Sequence, residues 1–158
     1  MKNYHKNTER LATKIFKDVF DKYDLMNDLM SLGVHRRWKK EFINMLNPEI
    51  NTKLIDVASG TGDIAKLFLE KIHYNGSVYC VDENQGMLDL NKAKFEGTTN
   101  VKWYCINAEK LPFKNNYFDY YTISFGIRNI SKINIALKEA YRVLKPGGRF
   151  LCLEFSKV

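Results

Sequence analysis

Lys53-Leu54-Ile55-Asp56-Val57-Ala58-Ser59-Gly60-Thr61-Gly62-Asp63 is the stretch that decides the fold. Lys53 to Ala58 is a short apolar run and reads as a buried strand, Ser59 to Gly62 makes a turn, and a helix follows through about Ile72. The two glycines let backbone approach a ligand where a side chain would block it. The free N–H groups of a helix start favour an electron-rich ligand. About 20 residues further on, Asp82 closes the next strand, where a carboxylate can accept both hydroxyls of a ribose.

Downstream of this corner the alternation continues. Ser77 to Val81 reads as a second strand and about Gln85 to Phe95 as a helix. Val101 to Ile106 is a third strand, with a turn at Pro112, and Phe118 to Phe125 is a fourth. A helix spans about Lys132 to Leu144, Lys145-Pro146-Gly147-Gly148 turns, and Arg149 to Phe155 is a fifth strand. Strand–helix alternation predicts an α/β fold, a mostly parallel sheet with helices on both faces. Upstream, the pattern is helical to about Pro48. Leu11, Ile15, Phe16, Val19 and Phe20 share one face, Ser31-Leu32-Gly33 breaks the run, and a basic amphipathic segment covers Val34 to Leu46. The expected division is an amino-terminal helical lid over residues 1–50 and a core over residues 51–158. The apolar fifth strand would lie at or near a sheet edge with unpaired backbone groups, so the natural chain is expected to continue past Val158, the alternative being that another molecule covers that edge.

Composition narrows the function classes. The 158 residues are 45% hydrophobic and 27% charged, which excludes a disordered chain. Lys and Arg number 25 against 18 Asp and Glu, a net +7, which excludes an acidic tail protein and leaves room for an anionic partner. Cys80, Cys105 and Cys152 each sit in an apolar run and read as reduced core thiols. No stretch approaches the roughly 20 apolar residues that span a bilayer, and no secretory or transit segment is visible. No metal site is expected, because His5, His35 and His73 are far apart.

Two ligands fit the glycine corner, a dinucleotide and S-adenosylmethionine. The dinucleotide fingerprint wants a third glycine where Ala65 stands, an allowed but weaker match. Asp56 and Asp63 flank the glycines and would repel a pyrophosphate, whereas they attract a sulfonium and an ammonium, which favours the methyl donor. Asn107-Ala108 after the third strand and Ser124 at the end of the fourth are further candidate donor contacts.

Four blocks, in order, carry a resemblance. They are Tyr23 to Trp38 (YDLMNDLMSLGVHRRW), Asn107 to Phe113 (NAEKLPF), Thr122 to Asn129 (TISFGIRN) and Arg142 to Ser156 (RVLKPGGRFLCLEFS). The chain resembles the ubiquinone/menaquinone biosynthesis C-methyltransferase family over nearly its whole length. The resemblance implies a class I, Rossmann-like enzyme. It would move a methyl from S-adenosylmethionine to a ring carbon of a polyprenyl benzoquinol, 2-methoxy-6-polyprenyl-1,4-benzoquinol, leaving S-adenosylhomocysteine. It places the donor at Thr61, Asp82, Asn107, Ala108 and Ser124, beside the Asp56, Gly60 and Gly62 read from the corner itself. It also implies two more strands and their helices beyond the fifth, covering the open edge and part of the acceptor pocket. Ser59 stands where the family often has glycine. The ending FLCLEFSKV is similar to the mitochondrial branch, implying the matrix side of the inner membrane, or the cytoplasm in a bacterium.

Ring-carbon methylation needs a quinolate rather than a neutral quinol. Arg128 cannot be a base at neutral pH, but it can stabilise an oxyanion or polarise a water that takes the proton, and Asn129 can orient that water. His35 is either a base or a structural donor. Tyr23, Asn27 and Trp38 read as a lid that binds the acceptor. Trp38, Phe42 and Met45 beside Arg36, Arg37, Lys39 and Lys40 form either a surface for an anionic membrane or a helix packed on its own domain. Expected partners are the quinol, other ubiquinone-biosynthesis proteins, a second copy of the chain and a membrane surface, with no nucleic acid. Competing functions are a menaquinone-pathway methyltransferase, a donor-binding scaffold subunit, an NAD-linked oxidoreductase and a nucleic-acid methyltransferase, the last lacking an NPPY-like tetrad.

Overall fold

Three apolar runs become β1 (Thr52–Val57), β2 (Gly76–Asp82) and β4 (Phe118–Ser124), the inner strands of a sheet whose edges are β3 (Val101–Cys105) and β5 (Leu144–Leu153). The computed structural model describes residues 34–155. The strand order is β3-β2-β1-β4-β5 and every pairing is parallel, as the alternation requires. The helices are α1 (His35–Leu46), α2 (Asp63–Lys71), α3 (Gln85–Lys94) and α4 (Ile133–Val143), with a 3₁₀ turn at Ile127–Asn129.

Strand periodicity sorts the core into two layers. Leu54, Val78, Cys80 and Tyr120 point to one face and pack with Phe42, Ile43 and Leu46 of α1 and Ile64, Ala65, Phe68 and Leu69 of α2. Ile55, Val57, Tyr79, Val81, Tyr121 and Ile123 point to the other and meet Ala136, Ala140 and Val143 of α4. Each fully buried large apolar side chain contributes about 1.5–3 kcal/mol. The chain divides at Arg37/Trp38, within α1, and the residues from Trp38 onward form one compact unit.

Several expectations need correction. Only Cys80 is a buried thiol; Cys105 and Cys152 are exposed, because they lie on the edge strands, where fewer elements cover the sheet. Lys39 and Phe42 do not belong to an outward basic face. Phe42 packs in the core and Lys39 is 7% exposed, so α1 packs on its own domain through that side, while Met45 remains outside. The fifth strand starts at Leu144 rather than Arg149. Its partner register moves from Phe118↔Leu144 to Tyr120↔Arg149, so Lys145-Pro146-Gly147-Gly148 bulges out of the strand instead of preceding it. Gly147, at φ 79°, supplies the left-handed backbone this needs. The edge position expected for the last strand is observed. Among the described residues, no helix is long and apolar enough to cross a membrane.

Candidate functional site

The register places the carboxyl ends of the inner strands side by side. Val57 pairs with Val81 on one flank and Ile123 on the other. Ligands of open parallel sheets bind along this edge. The chain is bent sharply where it leaves β1 and β4: Ala58 has φ 52° and Phe125 has φ 54°, left-handed values that cost a non-glycine residue about 1–3 kcal/mol and concentrate at functional sites. Gly126 follows Phe125, and a Cβ there would lie 2.4 Å from the Cβ of Ala58, so glycine is what allows the two exits to touch.

The glycine corner is built on backbone. Gly60 and Gly62 adopt φ 48° and 75°. A Cβ on Gly62 would stand 3.0 Å from Phe95 Cε2 and 3.2 Å from Asn91 Oδ1, so α3 closes on the turn only if no side chain intervenes. Asp82 Oδ2 accepts the Gly60 N–H at 2.9 Å and Oδ1 accepts the Asn84 N–H at 2.9 Å. Each oxygen keeps a lone pair, and the carboxylate is already oriented. Asn91, fully buried on α3, donates to the Gly60 carbonyl, and Lys94 Nζ donates to the Thr61 carbonyl at 3.3 Å.

Beneath this corner lies a charged group of opposite signs. Asp56, 1% exposed, accepts from Thr122 Oγ1 at 2.7 Å through Oδ1, while Oδ2 has no hydrogen-bond partner. Burial pushes its carboxyl up to about 7; the Thr122 hydrogen bond and the Lys39 charge oppose that rise, and Asp82 and Asp63 add to it. Lys39 Nζ is 2.7 Å from Asp63 Oδ2. Burial would raise the Asp63 carboxyl, but the Lys39 ammonium and hydrogen bonds from Lys39 and Thr61 outweigh it and hold that carboxyl below its ordinary value.

The second half of the site lies where β4 and β5 end. Arg128 Nη1 is 2.5 Å from Glu154 Oε1, and its guanidinium sits 5.6 Å from the Phe155 ring centre. Glu154 Oε1 also accepts the Phe155 N–H at 2.9 Å, whereas Oε2 is buried without a hydrogen-bond partner. Trp38 meets Phe155 edge-on at 5.9 Å and Phe125 at 6.5 Å, and Phe125 stacks on Phe155 at 4.8 Å. An aromatic wall with an ion pair beside it can hold a planar, ionisable ring.

A model of the ubiE/COQ5 methyltransferase family matches residues 3–158. The chain belongs to the ubiE/COQ5 methyltransferase family. It is 55% identical over 154 residues to the ubiquinone/menaquinone biosynthesis C-methyltransferase UbiE of Rickettsia typhi, covering 94% of this chain and 62% of that protein. The Rickettsia bellii protein of the same name is 53% identical over 156 residues, covering 95% and 62%. The chain thus spans 62% of the length of these curated relatives. Among solved structures, the Bacillus subtilis YcgJ protein superposes with a TM-score of 0.66 at 27% identity, over 71% of this chain and 47% of that one. A SAM-dependent methyltransferase from Aquifex aeolicus gives 0.63 at 23% identity over 68% and 58%, a likeness of fold.

In the structure, the corner residues Asp56, Gly60, Thr61, Gly62 and Asp82 fall together at the ends of β1 and β2. Ile106 N donates to the Asp82 carbonyl at 3.2 Å, which brings Asn107 and buried Ala108 to the same edge. Asn107 Oδ1 is used locally, accepting the Glu109 N–H at 2.6 Å. Ser124 is half-buried at the tip of β4, paired with Leu153. Arg128 and Asn129 sit in the 3₁₀ turn, both exposed, and Trp38 is 37% exposed on the aromatic wall. His35 is buried at the first position of α1. Tyr23 and Asn27 lie outside the described residues. Sequence reading missed Asn91, Lys39 and Glu154. Only Glu154 had a signal, its place in the last family block beside a known edge.

Proposed function

We propose that this chain forms the donor corner and acceptor edge of an S-adenosylmethionine-dependent C-methyltransferase acting on a polyprenyl benzoquinol of ubiquinone biosynthesis. The observation that carries the reading is the Asp82 carboxylate, pinned by the Gly60 and Asn84 amides at the tip of β2, above a buried Asp56 oxygen with no hydrogen-bond partner. These groups fit a ribose diol and a cationic arm, and they disfavour a pyrophosphate. Asp82 would hold the ribose hydroxyls and Asp56 the positive methionine arm. Thr61, Asn107, Ala108 and Ser124 would line the rest. Bound S-adenosylmethionine supplies an electrophilic methyl group.

The chain's own residues do the remainder. Trp38, Phe125 and Phe155 stack against the ring and exclude water. Arg128 stabilises negative charge as it develops on the ring oxygen, and Asn129 orients a water at the same turn. Positioning the ring carbon is worth as much as the charge, since displacement needs reacting atoms about 3 Å apart and in line.

The relatives' name covers both quinones; FLCLEFSKV, similar to the mitochondrial branch, is what favours ubiquinone and a place on the matrix side of the inner membrane. The relatives compared are bacterial, which supports the bacterial cytoplasm. Contact with other quinone-synthesis proteins and a homodimer rest on the resemblance alone. Membrane contact would use the part of α1 left outside the core, which includes Lys40 and the 75% exposed Met45. Sedimentation with anionic liposomes at low salt tests it; protein left in the supernatant removes it.

Calorimetric titration with S-adenosylmethionine, S-adenosylhomocysteine and NAD tests the main reading. The first two bind and NAD does not. Saturable NAD binding with no response to either nucleoside would overturn it.

A further inference from the structure

Glu154 ends β5 with its two carboxylate oxygens in unlike surroundings. Oε1 is fixed twice, by the Arg128 guanidinium at 2.5 Å and by the Phe155 amide at 2.9 Å. Oε2 is buried with no hydrogen-bond partner. A buried acceptor on a charged group costs free energy when unpaired, and in a native site it calls for an explanation. A plain counter-ion to Arg128 needs one oxygen only. A carboxylate anchored by one oxygen and left without a partner at the other is instead arranged to receive a proton or a hydroxyl donor. Its surroundings indicate which: Phe155 follows it directly, the Arg128 guanidinium lies over that ring at 5.6 Å, and Phe125 and Trp38 continue the aromatic wall.

We propose that Glu154 Oε2 is the proton acceptor for the ring hydroxyl of the phenolic substrate, with Arg128 holding the carboxylate in place and stabilising the oxyanion that results. The proposal rests on the quinol-methylation reading and adds the group that makes the ring nucleophilic. In the first step the phenolic O–H bond breaks, its electron pair stays on the ring oxygen, and a new O–H bond forms on Oε2. The ring carbon then gains the methyl, and the electron pair of the breaking C–S bond stays on sulfur. The ring carbon loses its hydrogen to water as a proton, aromaticity returns, and Glu154 gives its proton back to the ring oxygen. One proton is released overall and the carboxylate is regenerated. Arg128 has a defined part in this scheme: a permanently charged guanidinium cannot take the proton, but beside Glu154 it lowers the energy of the quinolate.

The test uses the intact natural protein, wild type and Glu154→Gln, with a short-tailed quinol. Glutamine keeps the shape and an acceptor for Arg128 but cannot be protonated. The substitution lowers kcat about 100-fold or more and leaves donor affinity within about twofold. Independently of turnover, the ternary complex with S-adenosylhomocysteine and quinol shows the phenolate absorption band in the wild type and not in Glu154→Gln. Glu154→Ala provides a second arm, recovering rate with added formate. Wild-type rate in Glu154→Gln overturns the proposal, as does a full phenolate band in that variant. If Glu154→Gln fails to fold, absence of formate rescue in Glu154→Ala overturns it as well. A wild-type protein that binds donor but methylates no phenolic ring overturns the functional reading instead, so the two failures are distinct.

Discussion

The glycine corner and the aromatic edge, proposed to hold donor and acceptor, occupy the same rim of one sheet, yet they are made differently. The corner is backbone: two left-handed glycines, two amides on Asp82, and an α3 asparagine bonded to a carbonyl. The edge is side chain: an ion pair and three aromatic rings contributed by α1, the segment after β4 and the segment after β5. Backbone geometry tolerates little change in what it holds, because a side chain added at either glycine is strained. Side chains drawn from distant segments, on the proposed reading, would set which ring is methylated and how its proton leaves. Damage to one half should therefore leave the other measurable.

Arg128→Ala tests the separation with the largest expected effect. Loss of the group facing a developing oxyanion should lower turnover of a quinol analogue about 100- to 1,000-fold while donor affinity changes little. Equal loss of donor binding in calorimetry would move Arg128 into the corner. Asp82→Ala is the mirror experiment: losing charge-assisted hydrogen bonds worth about 1.5–3 kcal/mol weakens the donor about 10- to 100-fold, with the quinol site intact. Unchanged donor affinity would break the comparison from the other side. Gly126→Ala attacks the place where the halves touch. Its new Cβ would meet Ala58 Cβ at 2.4 Å, and overpacking of that kind costs about 1–3 kcal/mol, seen as a lower denaturation midpoint. A midpoint equal to wild type would mean that the β1 and β4 exits can part without cost.

The smallest effect is on pH. Burial raises the Asp56 carboxyl from 3.8 to about 7, so the fold prefers it neutral. The stability this confers is complete below about 4 and declines as pH rises through about 7. A cationic ligand arm favours the ionised form, so donor affinity should tighten from pH 6 to about 8, by up to tenfold per unit below 7, and then level off. Asp56→Asn should bind weakly with no such slope and be more stable than wild type at pH 8. Thr122, Lys39, Asp82 and Asp63 face this carboxyl and set the size of the effect. Asp63 works in the opposite sense. Its carboxyl is held low, so its contribution is present above 3.8 and is lost as pH falls through the depressed value. A wild-type slope retained in Asp56→Asn would assign the titration to another group.

Much of the corner could be read before the structure. Glycine spacing is local, and the carboxylate at the next strand end, 22 residues on, follows from the strand–helix–strand alternation that sets adjacent parallel strands side by side. The parallel sheet was equally legible, since apolar runs buried on both faces occur in inner strands such as β1 and β2. The same rule misled at the edges, where Cys105 and Cys152 stand exposed although their runs look like core. Lys39 could not be placed from helical spacing, because its burial depends on Asp63, 24 residues away. Asn91 was hidden for the same reason, since its partner Gly60 lies 31 residues away; Glu154 stood in a family block, but its pairing with Arg128, 26 residues away, did not show there.

A crystal structure of the chain with S-adenosylhomocysteine tests the central claim most directly. The ribose hydroxyls should lie within hydrogen-bond reach of both Asp82 oxygens, with the amino acid arm toward Asp56 and Asp63. A nucleoside bound away from the β1–β2 corner, or a corner filled by its own side chains under saturating ligand, would contradict the account.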